Sequence, residues 1–357
     1  HKELDTILDS KLSMGDNVKN FEIEFANKIG SKYAIAMNSC TSTLEAALTY
    51  FNVKNKEVII PAQTFIATGM AVHLSGGTPI FAEIKKNDLC LDIEDIKKKV
   101  SKKTVGIIIV HMAGHISSDI DKIKKYCEDN GLFLIEDAAH TPGAEFKNTK
   151  SGNIGHVGCF SFYPTKILTS GEGGMLTTNN EKIANYARSY QNRGRDMKSK
   201  KEERYIFPSR NNRMTEFSAL LGRVQLRHLD EYLASRRNVA KIYLRRLSNF
   251  PKIELILPKK ILQSSCWKIP IILDKCYDRA FILKELKKRG IEADTAYNPP
   301  LHLQPVMANL YKIQKNMLPI SEDILSRHIC LPSHQNMKAE DANYVCDNLL
   351  NILSTIK

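Results

Sequence analysis

Leu132-Phe-Leu-Ile-Glu-Asp137 ends an apolar run in an acidic residue, and Lys166 lies downstream in Cys159-Phe-Ser-Phe-Tyr-Pro-Thr-Lys166-Ile-Leu-Thr-Ser-Gly-Glu-Gly-Gly174. A carboxylate at the end of an apolar strand is costly unless it meets a cation. An amine in a turn rich in hydroxyls and glycine has room to react. Together they are what pyridoxal 5′-phosphate chemistry needs. The lysine forms a Schiff base with the cofactor aldehyde, and the carboxylate keeps the pyridine nitrogen protonated so that the ring acts as an electron sink. Alone, Lys166 reads as a solvated lysine and Asp137 as an ion pair or helix cap. The pairing overturns both readings.

Three further segments support this chemistry. Asn38-Ser-Cys-Thr41-Ser42 follows a strand and opens a helix, where hydroxyls and free N–H groups bind phosphate, although an ordinary N-cap has the same look. Ser161 precedes the lysine by one short stretch and is within reach of the same phosphate. Phe65, in Pro61-Ala-Gln-Thr-Phe65-Ile-Ala-Thr68, begins another helix at the same sheet edge; it is a stacking partner for a cofactor ring or simply a core residue. His111 and His115 have no acidic or thiol ligands clustered with them, so no metal site is expected.

These residues need a scaffold. Strands are predicted at Tyr33–Met37, Val58–Ile60, Ile80–Ala82, Gly106–Val110, Leu132–Ile135, Cys159–Phe162 and Met175–Thr178. Helices are predicted at Val18–Ile29, Ser42–Tyr50, Thr64–Leu74, Ile93–Lys99 and Ile120–Asn130. The alternation implies an α/β fold with a mostly parallel sheet covered on both faces. Ligands in such sheets bind beyond the carboxyl ends of the strands, where Asp137 and the Asn38–Ser42 turn fall. From Thr215 the pattern is helical, with an apolar stripe of Phe217, Leu220, Leu221, Val224 and Leu226 and a long charged helix to Leu247. Short strands such as Trp267–Leu273 and a helix at Ala280–Arg289 then suggest a smaller α+β domain. The division expected is residues 1–240 for a large domain, with the N-terminal segment free to pack on the small one, and 241–357 for the small domain.

The 357 residues are 43% apolar and 25% charged, as in ordinary globular proteins. No apolar run is long enough for a membrane span, and the polar start, His1-Lys-Glu-Leu-Asp5, has no signal-peptide core. Eight scattered cysteines without a Cys-x-x-Cys pair imply a reducing, cytoplasmic setting. The net charge of +13 suits an anionic substrate or nucleic acid, but the lysine runs lack interleaved aromatics, so plain lysine richness is preferred and no nucleic-acid partner is expected.

Taken together, these segments resemble the DegT/DnrJ/EryC1/StrS family of sugar aminotransferases. The likeness also runs through Leu12-Ser-Met-Gly15, Val18-Lys-Asn-Phe-Glu22, Asn211-Asn-Arg-Met-Thr-Glu216, Leu301-His302 and Leu331-Pro332-Ser-His334. It implies a fold-type-I, aspartate aminotransferase-like architecture and the cofactor pyridoxal 5′-phosphate. Lys166 would be the Schiff-base lysine and proton shuttle, and Asp137 the pyridinium partner. His140 would meet the phenolic oxygen, Phe65 would stack on the ring, and Thr41, Ser42 and Ser161 would hold the phosphate. Asn211 would reach the phosphate of a partner subunit, making the unit a homodimer with shared sites. His302 would lie near the substrate. The implied reaction moves an amino group, from glutamate, to a nucleotide-linked keto-deoxy sugar. Another phosphorylated ketone, or a non-catalytic basic nucleic-acid-binding regulator on this fold, are the alternatives. Cys40 and Ser42 stand where glycine and alanine are common, and Asn212 where tyrosine is common.

Overall fold

A computed structural model describes residues 2–199, 202–258 and 260–356. Nine strands come first: β1 (Tyr33–Met37), β2 (Glu57–Pro61), β3 (Thr78–Ala82), β4 (Thr104–Val110), β5 (Phe133–Asp137), a short hairpin of β6 (Glu145–Phe146) and β7 (Thr149–Lys150), then β8 (Val157–Ser161) and β9 (Gly174–Thr178). Seven of these form one sheet in the order β1-β9-β8-β5-β4-β2-β3. Only β9 runs antiparallel to its neighbours. The cause is the connection before it. Parallel neighbours need a crossover, usually helical, whereas β8 and β9 are joined by the helix-free loop that carries Lys166. The reversal brings Gly174, at the start of β9, to the edge where β1, β5 and β8 end.

Each predicted strand and helix of this half is present, with boundaries moved by a few residues. The helix expected from Thr64 begins at Ile66 because Phe65 is extended and acts as its N-cap residue. Ser39 caps the helix Cys40–Tyr50 by accepting from Ser42 N–H. Gly174 is required beside that cap, since a Cβ there would lie 2.4 Å from the Ser39 carbonyl.

Side chains along β5 alternate between faces. Ile135 packs with Ile108 and Cys159 beneath the helices Cys40–Tyr50 and Ile66–Leu74, and Asp137 shares that face. Leu134 packs with Ile107 and Ile109 on the other face, and Glu136 shares that one. Glu136 is fully buried. Its carboxylate accepts from the N–H groups of Gly152, Ile154 and Gly155 at 2.7–2.8 Å and pairs with His111 Nε2 at 2.9 Å.

The stripe after Thr215 divides. Helix Glu216–Arg227 buries Leu220 and Leu226 but leaves Phe217 and Leu221 exposed. The next helix, Leu229–Leu247, runs from one core to another: Leu229 and Leu233 pack beneath the large sheet, while Val239, Tyr243 and Leu247 join a second core. That core covers an antiparallel sheet of β10 (Ile253–Leu255), β11 (Ile269–Leu273) and β12 (His328–Leu331), backed by the helices Arg279–Lys288 and Ala339–Thr355. Between them, Leu301 and Met307 return to the first unit and pack against its helix Ile66–Leu74.

Replacing Glu136 by alanine would strand three N–H groups, those of Gly152 and Ile154 buried, and a buried imidazole. A loss on the order of 3–5 kcal/mol is expected, read as a lower urea midpoint. An unchanged midpoint would show that the loop Gly152–Gly155 does not depend on this carboxylate.

Candidate active site

A chamber of about 650 Å³ opens at the carboxyl edge of the sheet, lined among others by Thr41, Phe65, Asp137, His140, Ser161 and Lys166. Six of the residues expected at a cofactor site are thus brought together from four chain segments. Phe65 is 54% exposed, so its ring faces this space and is not a core residue.

Asp137 ends β5 and is buried. Thr68 Oγ1 donates to its Oδ2 at 2.9 Å and Ala139 N–H to its Oδ1 at 3.2 Å. Thr64 shares a 2.7 Å hydrogen bond with Thr68 and so steadies the donor. No ion pair involving Asp137 is found among the described residues. Burial therefore outweighs these contacts and raises its pKa. A carboxylate held this way calls for a cation from outside the chain.

Lys166 sits in the loop between β8 and β9, which is closed by Phe162 N–H donating to the Gly173 carbonyl and Lys166 N–H to the Tyr163 carbonyl. Burial pushes its amine down to about 8, against the opposing pull of Asp137 and Cys40. Its Nζ stands 4.4 Å from the centre of the Trp267 ring. Trp267, just ahead of β11, donates from Nε1 to the Thr165 carbonyl at 2.8 Å, which anchors the loop beside the lysine. The same indole stacks on His140 at 3.8 Å with planes 9° apart. His140 Nε2 is 2.9 Å from the Tyr297 hydroxyl.

Three expected residues lie elsewhere. The Ser42 hydroxyl is turned into its own cap, donating to Asn38 Oδ1 at 2.7 Å, and is not on the chamber wall; Ser39, Cys40 and Thr41 are. The shape of the N-cap turn decides this. Asn211 is exposed and away from the chamber of its own chain, while Asn212 is buried against Ser42. His302 does not reach the chamber. Its turn packs Leu301 inward, and the imidazole bonds Glu322 at 3.1 Å beside Phe81 in a separate cavity of about 220 Å³. Sequence reasoning missed Thr68, Trp267, Lys268 and Tyr297. Thr68 had a signal, being one helical turn from Thr64. The other three come from the distant C-terminal region, where no local motif marks them.

The residues present fit pyridoxal phosphate. The first N–H groups of helix Cys40–Tyr50 have no intrahelical acceptor and suit a phosphate. Gly174 allows the chain to close behind them. The unpaired Asp137 suits a protonated pyridine nitrogen, and the exposed face of Phe65 a flat ring.

The model of the DegT/DnrJ/EryC1/StrS aminotransferase family matches residues 1–350. The chain belongs to this family. It is an aminotransferase, and its cofactor is pyridoxal 5′-phosphate. The aminotransferase chain is 31% identical to GDP-perosamine synthase of Vibrio cholerae, covering 96% of this chain and 93% of that protein. It is 30% identical to the dTDP-3-amino-3,4,6-trideoxy-alpha-D-glucose transaminase of Streptomyces venezuelae, covering 96% and 88%. Its fold matches the solved PseC of Helicobacter pylori, an aminotransferase involved in the biosynthesis of pseudoaminic acid, with a TM-score of 0.92 and 28% identity over 99% of this chain and 96% of that one. No helix among the described residues of the aminotransferase is long and apolar enough to cross a membrane.

Because burial lowers the Lys166 pKa, its amine is protonated below about pH 8 and a free nucleophile above it. In cofactor-free protein, acylation of Lys166 followed by peptide mass spectrometry is expected to rise with a midpoint near pH 8. Exposed lysines should follow a midpoint of about 10.4. A Lys166 midpoint among the latter would contradict the buried setting.

Proposed function

We propose that this aminotransferase moves an amino group from glutamate to a nucleotide-linked keto-deoxy sugar. The observation that carries the reading is the meeting, in one chamber, of a lysine with a lowered pKa and a buried carboxylate that lacks a cation. The GDP- and dTDP-sugar chemistry in the names of similar enzymes supports the acceptor class.

When bound, the cofactor supplies an electron sink for the bond changes at the amine-bearing carbon. Lys166 would hold the cofactor as the nucleophile at its carbonyl carbon, and its free amine would be the base that takes a proton from the amine-bearing carbon of the amino donor and delivers it to the cofactor's carbonyl carbon. Asp137 keeps the ring nitrogen protonated, with Thr68 and Ala139 holding its two oxygens in place. Phe65 orients the ring. Thr41, Ser161 and the start of helix Cys40–Tyr50 receive the phosphate. Lys268, paired with Asp294 at the chamber rim, offers a cation to a substrate carboxylate or phosphate.

The test is a panel of GDP- and dTDP-linked keto-deoxy sugars with glutamate, followed by 2-oxoglutarate release. At least one acceptor should turn over. Lys166→Ala should abolish the reaction, and Asp137→Asn should reduce it by orders of magnitude while retaining cofactor. Turnover of a simple phosphorylated ketone with no response to any nucleotide sugar would overturn the acceptor class.

We also propose a homodimer in which Asn211 serves the partner's phosphate site. Asn211 is exposed, and the helix that follows it, Glu216–Arg227, carries Phe217 and Leu221, apolar residues that a monomer leaves in water. Inactive Lys166→Ala chains mixed with inactive Asn211→Asp chains should then regain part of the activity, because one site of each heterodimer carries neither defect. Confirmed subunit exchange without recovery would rule out sharing.

A further inference from the structure

His140 is clamped between rings from the C-terminal region. Trp267 covers it at 3.8 Å and Tyr297 stacks at 5.9 Å with planes 24° apart. Its Nε2 meets the Tyr297 hydroxyl at 2.9 Å, while Nδ1 is buried without a partner. Burial, then the nearby positive charges of Lys166, Lys268 and His111, hold the imidazole well below the usual histidine range, so it is neutral and carries one N–H. On Nδ1 that hydrogen would be a buried donor with no acceptor, which folded proteins seldom keep. On Nε2 it has the phenol oxygen of Tyr297. The bare lone pair left on Nδ1 is the less costly orphan. Nε2–H therefore donates to Tyr297.

The consequence falls on the phenol. With its oxygen already accepting from His140, its own hydrogen must point elsewhere. No other hydrogen bond to this hydroxyl is found among the described residues. The groups that face it, besides His140, are Asp137, Asp294 and the thiols of Cys40 and Cys330; burial first, then the negative charge of Asp137, raises its pKa, so the phenol stays protonated. The ring lines the chamber and leans on Phe65, with centres 5.6 Å apart and planes at 46°.

We propose that Tyr297 is a further residue of the active site, whose hydroxyl, oriented by Nε2–H of His140, donates a hydrogen bond to the anionic oxygen of the ligand seated on Phe65. His140 is then a positioning residue behind Tyr297. The assignment rests on the chamber being the cofactor site.

Two measurements test it. In cofactor-free, ¹⁵N-labelled protein, ring proton–nitrogen correlations of His140, assigned by their loss in His140→Gln, should show hydrogen on Nε2 and a bare Nδ1. Hydrogen on Nδ1 would overturn the orientation. In cofactor-loaded protein, Tyr297→Phe should shift the pH midpoint of the visible absorption band upward by about one unit, as expected when an anion loses one donor. Its melting temperature and cofactor content should stay near those of the parent. A loaded Tyr297→Phe variant whose band titrates at the parent's pH would overturn the donor role and leave the proposed function standing. A parent protein that develops no visible band with pyridoxal phosphate would instead remove the cofactor assignment on which both rest. If Tyr297→Phe fails to fold, the tautomer of the parent protein decides the matter.

Discussion

The arrangement depends on one carboxylate kept from water without a cation. A buried ionised group costs several kcal/mol unless it is paired and hydrogen-bonded. Asp137 has two donors, Thr68 and Ala139, but no positive partner among the described residues. The fold holds this unfavourable state in place through the parallel strands on either side of β5 and the two helices above it. A cationic ring nitrogen brought against it would offset that cost. Desolvation lowers the lysine into the range where a free amine is available.

Glu136 shows that burial alone does not mark a functional acid. It adjoins Asp137 in β5 and is equally hidden, yet three backbone N–H groups and His111 satisfy it. The pleat turns the two side chains to opposite faces. One therefore fastens the loop Gly152–Gly155 beneath the sheet, and the other is left facing the chamber. The difference lies in what each face supplies.

The C-terminal region contributes more than a cover. Ser265 Oγ donates to the His140 carbonyl at 2.6 Å, Lys268 N–H to the Ala113 carbonyl at 3.1 Å, and Gln63 Nε2 to the Ala296 carbonyl at 2.8 Å. These bonds cross the chamber's edge and fix Trp267 and Tyr297 against the lysine loop and His140. Any movement between the two cores would alter the ring stack at the site itself.

The sequence by itself determined the α/β order, the strands that end at the chamber, and the roles open to Lys166, Asp137 and Phe65. Those are local properties: a period-2 or helical apolar pattern, a breaker, and a chemically unusual side chain at a strand end all lie within a few neighbouring residues. The tertiary structure decided the rest. Only packing shows that the Ser42 hydroxyl serves its own cap, that Glu322 draws His302 into another cavity, and that Phe217 and Leu221 leave the core while Leu220 and Leu226 enter it. Trp267 and Tyr297 join the site through contacts with residues more than a hundred positions away. Such contacts depend on how the two cores meet, and that depends on the whole chain.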